Sequence, residues 1–198
     1  MRILYARLPD EKLMLLLRKG KEGAFDVLFR RHFGKLYGFF LRSTGNRHTA
    51  EDLAQEVLVR LFRSAGRYEP TAKFSTFLYT IARNVLLNYI RDSRKKDPEV
   101  DGGEGELTPF ELSLETTPSS CPDPSEILEK KETLQVLEKA LSEMPENLRT
   151  PFLMAQGEGM SYREIGEVMG ISEGAVKLRI FRARAFLAER FDAAFRET

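Results

Sequence analysis

Lys177, Leu178, Phe181 and Arg182 share one face if their segment is helical, and that face mixes cations with large apolar side chains. In the major groove of DNA, Arg and Lys pair with guanine edges while an apolar side chain touches the thymine methyl. The four residues are therefore suited to reading paired bases. Gly174 and Ala185 fall on the same stripe, and Arg179 and Arg184 are placed for phosphate contacts or for solvent. A second possibility is that Leu178 and Phe181 cover another helix.

A reading face needs a rigid mount, and the flanking sequence supplies one. Ser161 to Glu164 reads S-x-x-E, a capping box that satisfies free amides at a helix start. Gly170 can take the left-handed conformation that ends a helix, and Ser172 is an N-cap for the next. A new helix thus begins about three residues after the last one stops, which is helix-turn-helix spacing. Val176, Ile180, Ala183 and Leu187 form the buried stripe of the second helix, expected to pack on Ile165, Val168 and Ile171. Because the first turns of such a helix enter the groove, Ser172, Gly174, Lys177, Leu178, Arg179, Phe181 and Arg182 are the candidate DNA contacts, with Lys177, Leu178, Phe181 and Arg182 the readers among them.

Charge is unevenly distributed along the 198 residues. The formal net charge is only +1, yet residues 1–96 carry 20 Lys and Arg against 9 Asp and Glu, residues 97–126 carry 9 acids and no base, and residues 127–198 carry 11 bases and 12 acids. The near-neutral total conceals a basic N-terminal half, which favours a polyanionic partner. The acidic stretch also holds five of the nine prolines and Gly102, Gly103 and Gly105, so it reads as a flexible linker between two small domains. Thirty residues span about 100 Å fully extended and about 30 Å as a relaxed coil.

The single cysteine, Cys121, lies in that linker without a partner, which excludes a disulfide framework and a thiolate metal cluster and suits a reducing cytoplasm. The longest aliphatic run, Leu13 to Leu17, is too short for a membrane span, and a signal-peptide core is missing.

Helical periodicity dominates the N-terminal half. Phe25, Leu28, Phe29, Phe33, Leu36, Tyr37 and Phe40 recur at three- and four-residue steps and read as a core face. A second helix is predicted from Thr49 as N-cap, with Leu53, Val57, Leu58, Leu61 and Phe62 inward and with Glu51, Asp52 and Glu56 near the positive end of its dipole. Those acids either serve the dipole or, with Gln55, contact a partner. A third helix, from about Ser75 to Arg94, buries Leu78, Ala82, Val85, Leu86 and Tyr89 and turns Phe77, Thr80, Asn84, Asn88 and Arg91 the other way. Tyr68, Lys73 and Phe74 precede it, and Arg91, Arg94, Lys95 and Lys96 end it. Aromatic rings beside cations suit single-stranded nucleic acid, where stacking contributes about 1–3 kcal/mol per base. Burial in the core is the alternative for Phe77 and Tyr79.

Two long segments resemble a known family. Ala50 to Phe62, AEDLAQEVLVRLF, and Phe74 to Asn84, FSTFLYTIARN, are similar to the second conserved region of the extracytoplasmic-function sigma factors, and Met144 to Arg184 resembles their fourth region. The resemblance implies an all-α fold of two helical domains: a leader and the start of the first helix in 1–19, region 2 in 20–96, a linker in 97–126 and region 4 in 127–198. It implies an initiation factor that binds core RNA polymerase, docks on its clamp helices through Asp52, Leu53, Gln55 and Glu56, and directs it to promoters. Tyr68, Lys73, Phe74, Thr80, Arg83, Asn84, Asn88 and Arg91 would meet the opened single strand at the minus-ten element. Ser172, Gly174, Lys177, Leu178, Arg179, Phe181 and Arg182 would meet the minus-thirty-five duplex. An anti-sigma factor is a further implied partner. The chain departs from the family at Phe77, where Trp is frequent, at Pro70 and Thr71, where a Gly-Asp pair is frequent, and at Met144, where Leu is frequent.

On the same resemblance, promoter elements up to about 70 Å apart, two turns at roughly 34 Å each, exceed a relaxed linker. The polymerase would hold the halves apart, with the nine linker acids imitating nucleic acid in its basic channel. The competing expectations are a stand-alone helix-turn-helix regulator and a nucleic-acid enzyme. Against an enzyme, His32 and His48 lack metal-ligand spacing and a phosphate loop ending in Lys-Ser or Lys-Thr is missing. The sequence therefore predicts neither catalysis, nor a cofactor, nor a small-molecule substrate.

Overall fold

The computed structural model describes residues 5–96 and 124–196, and among these every regular element is helical. Helices α1 (Asp10–Arg18), α2 (Gly23–Thr44) and α3 (Arg47–Ser64) lead through a 3₁₀ turn (Ala65–Arg67) and a loop into α4 (Phe74–Lys96). The C-terminal half consists of α5 (Pro124–Glu143), α6 (Glu146–Gly157), α7 (Tyr162–Met169) and α8 (Glu173–Arg196). The all-α expectation holds. The expected linker and Cys121 lie outside the described residues as far as residue 123, and α5 already begins at Pro124, inside the span that charge assigned to the linker.

Helix α1 buries Leu13, Met14 and Leu17, so the later part of the 1–19 span, expected to hold a leader and the start of the first helix, is part of the N-terminal core. Helix α2 ends where Gly45 takes φ 67° and donates its N–H to the Leu41 carbonyl at 2.8 Å. The cap of α3 is Asn46 rather than Thr49: its side-chain Oδ1 accepts the Thr49 N–H at 2.9 Å. With the helix starting at Arg47, Glu51 and Asp52 fall beyond the first turn, which contains no acid, and the dipole explanation for them lapses.

The aromatic periodicity of α2 also resolves differently from its sequence reading. Leu28, Leu36, Phe39 and Phe40 are buried, whereas Phe25, Phe29, Phe33 and Tyr37 form a partly exposed row along the helix edge, with Phe29 and Phe33 stacked at 5.1 Å. Seven large residues at mixed three- and four-residue steps cover an arc too wide for one core face, and the i, i+4 row drifts outward. Phe62 of α3 joins this edge, 43% exposed with its ring 5.1 Å from Phe25.

The two halves touch. Helix α4 packs on α7, and α2 packs on α5 and α6. Buried side chains form one apolar cluster through both halves, from Leu13 to Ala183. Lys35 Nζ lies 3.8 Å from Glu158 Oε2 at this junction, and burial together with the Glu158 carboxylate pushes the Tyr79 phenol well above its ordinary value.

Candidate nucleic-acid interface

The C-terminal mount forms from the local signals in the sequence. Glu164 donates its backbone N–H to Ser161 Oγ at 3.3 Å, and Glu164 Oε2 accepts the Ser161 N–H at 2.8 Å, completing the capping box of α7. Gly170 takes φ 66°, Ile171 donates its N–H back to the Gly166 carbonyl at 3.0 Å, and Ser172 Oγ accepts the Ala175 N–H at 3.2 Å to start α8. Val176, Ile180 and Ala183 are buried against Ile165 and Val168, while Ile171 and Leu187 lie at the margin.

This leaves the opposite stripe of α8 open. Phe181 is 69% exposed and Leu178 48% exposed, so neither covers another helix. Lys177, Arg182, Ser172 and Gly174 are exposed beside them, and Arg179 is half-buried at the flank. A large ring held in water costs solvation free energy, about 25 cal/mol per Å² of apolar area. Together with the flanking cations, this marks a contact surface.

In the N-terminal half the candidate strand-binding residues gather at the start of α4, but not all reach solvent. Tyr68 and Phe74 are 2% exposed: the Tyr68 ring stands edge-on to Phe77 at 5.1 Å, and Phe74 lies against His32 at 5.0 Å. They shape the loop from beneath and have no free ring face. Burial, with the negative charges of Glu11 and Asp10, pushes the Tyr68 phenol upward. Between them residues 69–73 are exposed, so Lys73 projects at the loop's edge. Farther along α4, Asn84 and Arg91 are exposed and Thr80, Arg83 and Asn88 half-buried, while Tyr79 is in the core and Phe77 is half-buried. His32 is occupied by Asp10, with Nε2 2.8 Å from Oδ2, and His48 is exposed on α3. Among the described residues no three His, Cys, Asp or Glu side chains are grouped to hold a metal ion, and no helix is long and apolar enough to cross a membrane.

A third surface lies on α3. Asp52 and Gln55 are exposed and Leu53 and Glu56 half-buried, with Glu56 Oε1 2.7 Å from Arg60 Nε. Val59 (40% exposed) continues this face, and Phe62 and Phe29 (39%) adjoin it. Sequence periodicity assigned Phe62 and Phe29 to the core. The signal that distinguishes them is the excess of apolar residues over what one helix face can bury.

The helical halves match two family models in order: sigma-70 region 2 over residues 28–96 and sigma-70 region 4 over residues 134–187. The chain is 30% identical to the RNA polymerase sigma-H factor of Pseudomonas aeruginosa over 190 residues, covering 95% of this chain and 96% of that one. It is 33% identical to the extracytoplasmic-function RNA polymerase sigma factor SigW of Bacillus subtilis over 183 residues, 91% and 95% of the two chains. Its fold is similar to that of CnrH, solved in complex with the cytosolic domain of CnrY, with a TM-score of 0.66 over 93% of this chain and 97% of that one at 23% identity. A capped helix-turn-helix with an open reading face, preceded by a region 2 bundle and matched over nearly the whole length, leaves one assignment: the chain belongs to the extracytoplasmic-function sigma factors of the sigma-70 family.

Proposed function

We propose that this protein is a transcription initiation factor that binds core RNA polymerase, directs it to promoters and helps open the minus-ten element. The observation that carries the reading is the exposed Leu178–Phe181 pair flanked by Lys177 and Arg182 on the second helix of a helix-turn-helix. In a major groove those side chains gain contacts with thymine methyls and guanine edges. In water they gain nothing.

The division of labour follows from what each surface exposes. Helix α3 offers Asp52, Gln55 and Glu56 with the apolar Val59 and Phe62, a mixture suited to a protein partner, and is assigned to the polymerase. Lys73, Thr80, Arg83, Asn84, Asn88 and Arg91 on and before α4 are assigned to the opened strand, where extruding a base costs a few kcal/mol that hydrogen bonds must offset. Tyr68 and Phe74 support that site from the core. Binding polymerase and promoter DNA in this way requires no catalytic constellation. Regions 20–96 and 127–198 act as the two binding domains, and an anti-sigma factor covering the polymerase surface is the expected regulator.

Run-off transcription with purified core polymerase on genomic fragments, followed by start-site mapping, tests the reading. Defined start sites that require both components are expected. In a gel shift the free protein should bind those promoters poorly, and the complex with polymerase tightly. Tight binding and no transcription would instead identify a stand-alone regulator.

A further inference from the structure

The seven-residue segment Tyr68 to Phe74 is held at both ends by one helix that the functional reading leaves unused. Arg18 Nη1 donates to the Tyr68 carbonyl at 3.2 Å, and Glu11 Oε1 accepts the Phe74 N–H at 2.9 Å. Glu11 and Arg18 are seven residues apart on α1, two turns, or about 10 Å along its axis at 1.5 Å per residue. The segment is therefore pinned at both ends, and residues 69–73 between the pins are exposed, tightened by a Thr71 N–H to Glu69 carbonyl bond at 2.8 Å.

Each bond is placed where its chemistry counts. The Phe74 N–H belongs to the first turn of α4, whose amides have no partner within the helix, and a carboxylate there also meets the positive end of the dipole. Helix α1 is itself anchored. Asp10 accepts from Arg31 Nη1 at 2.5 Å and lies 2.8 Å from His32 Nε2, and Arg31 donates further to the carbonyls of Leu8 (2.9 Å) and Ala6 (2.7 Å). Burial would raise the Asp10 carboxyl, yet the hydrogen bonds from His32 and Arg31 hold it below its ordinary value. The anchor therefore stays ionised.

We infer that Glu11 and Arg18 are positioning residues for minus-ten recognition: by pinning Tyr68 and Phe74 they set the height and register of residues 69–73 over the start of α4. Neither side chain touches DNA in this assignment. It rests on the proposed role of α4 at the opened strand.

The test uses the full chain with core polymerase on a promoter recovered by run-off transcription and on a series in which each minus-ten base pair is replaced. Glu11→Leu and Arg18→Met are expected to keep wild-type affinity for core polymerase while the ratio of transcription between the original and replaced promoters falls by about fivefold or more, the scale of one net hydrogen bond. Glu11→Gln, which retains an acceptor for the Phe74 N–H, should preserve most of the ratio. An unchanged ratio in both Leu and Met variants would overturn the inference, as would an equal loss on every promoter, the mark of general destabilisation. If Glu11→Leu does not fold, Arg18→Met alone decides. A wild-type protein that starts no transcripts would overturn the functional reading as well, so the two failures are told apart by the wild-type lane.

Discussion

Lys73 Nζ stands 2.7 Å from Glu164 Oε1, so the loop that leads into α4 is tied to the carboxylate that caps the helix-turn-helix. At that distance the ammonium is the largest influence on the Glu164 carboxyl. Lys73 is also assigned to the opened strand, so the Glu164 carboxylate and the strand compete for its ammonium. Lys73 is 73% exposed on its side chain, which limits such a pair to about 0–1 kcal/mol. If separation of the two halves is what this pair opposes, Lys73→Ala is expected to increase the fraction of molecules with separated halves only a few-fold, read by energy transfer between dyes on α3 and α8. An unchanged distance distribution would show that the apolar contacts of α4 with α7 hold the halves alone.

Acid should act on the same carboxylate. The Lys73 ammonium first, then the Ser161 amide and hydroxyl, lower the Glu164 carboxyl from 4.5 to about 2. A group depressed on folding contributes stability that is complete above its ordinary value and disappears as pH falls through the folded one. The contribution should be full above about pH 4.5 and lost by about pH 2. Thermal unfolding of Glu164→Gln is expected to show a smaller decline across that window than wild type, and Lys73→Ala an intermediate one. Parallel curves for all three proteins would contradict the assignment.

Arg182→Ala should weaken promoter binding by about 1–3 kcal/mol if the guanidinium reads a guanine, and should relax preference at one upstream position. Measured affinities on substituted promoters decide between readings. A uniform loss with a reduced salt dependence would make Arg182 a phosphate contact.

The helix-turn-helix was fully legible in the sequence because every boundary carries its own short-range signal: Ser161 and Glu164, Gly170, Ser172. The same holds for the inward residues of α4 from Leu78 to Leu86. What escaped were contacts between residues far apart in the chain, where no period links the partners. Glu11 capping Phe74 and Lys73 meeting Glu164 join separate elements, and Glu11 looks in sequence like an ordinary first-turn acid. The outward position of Phe29 and Phe62 was hidden for another reason. Hydrophobic period reports which residues share a helix face, and not how much of that face a small bundle can cover.

Asn84→Ala and the double variant Gln55→Ala/Glu56→Ala should fail in opposite ways. Asn84 is exposed on α4, so its loss should leave co-purification with polymerase intact and reduce permanganate reactivity of thymines in the minus-ten element. The double variant removes polar groups from α3 and should lose co-purification, while a premelted promoter does not rescue it. Retained opening by Asn84→Ala would refute its role, and undiminished co-purification of the double variant would move the docking surface elsewhere.

Gly166→Ala tests whether the tight turn of the helix-turn-helix is sterically enforced. Inside an exposed helix the change would add about 1 kcal/mol of stability through propensity. Here the new Cβ would stand 2.8 Å from the Ile171 carbonyl oxygen, a backbone atom that cannot rotate aside, with the Glu173 amide nitrogen at 3.7 Å. Ile171 also donates its N–H to the Gly166 carbonyl at 3.0 Å, so separating the two segments stretches the bond that closes the turn. Overpacking of this kind costs about 1–3 kcal/mol, which exceeds the propensity gain. The variant is expected to unfold at a lower temperature than wild type and to lose upstream promoter binding in greater proportion than affinity for polymerase, because relief of the clash tilts α8 away from α7. A variant as stable as wild type with unchanged promoter binding would mean that the turn relaxes at no cost, and that the close approach does not set the angle of the reading helix.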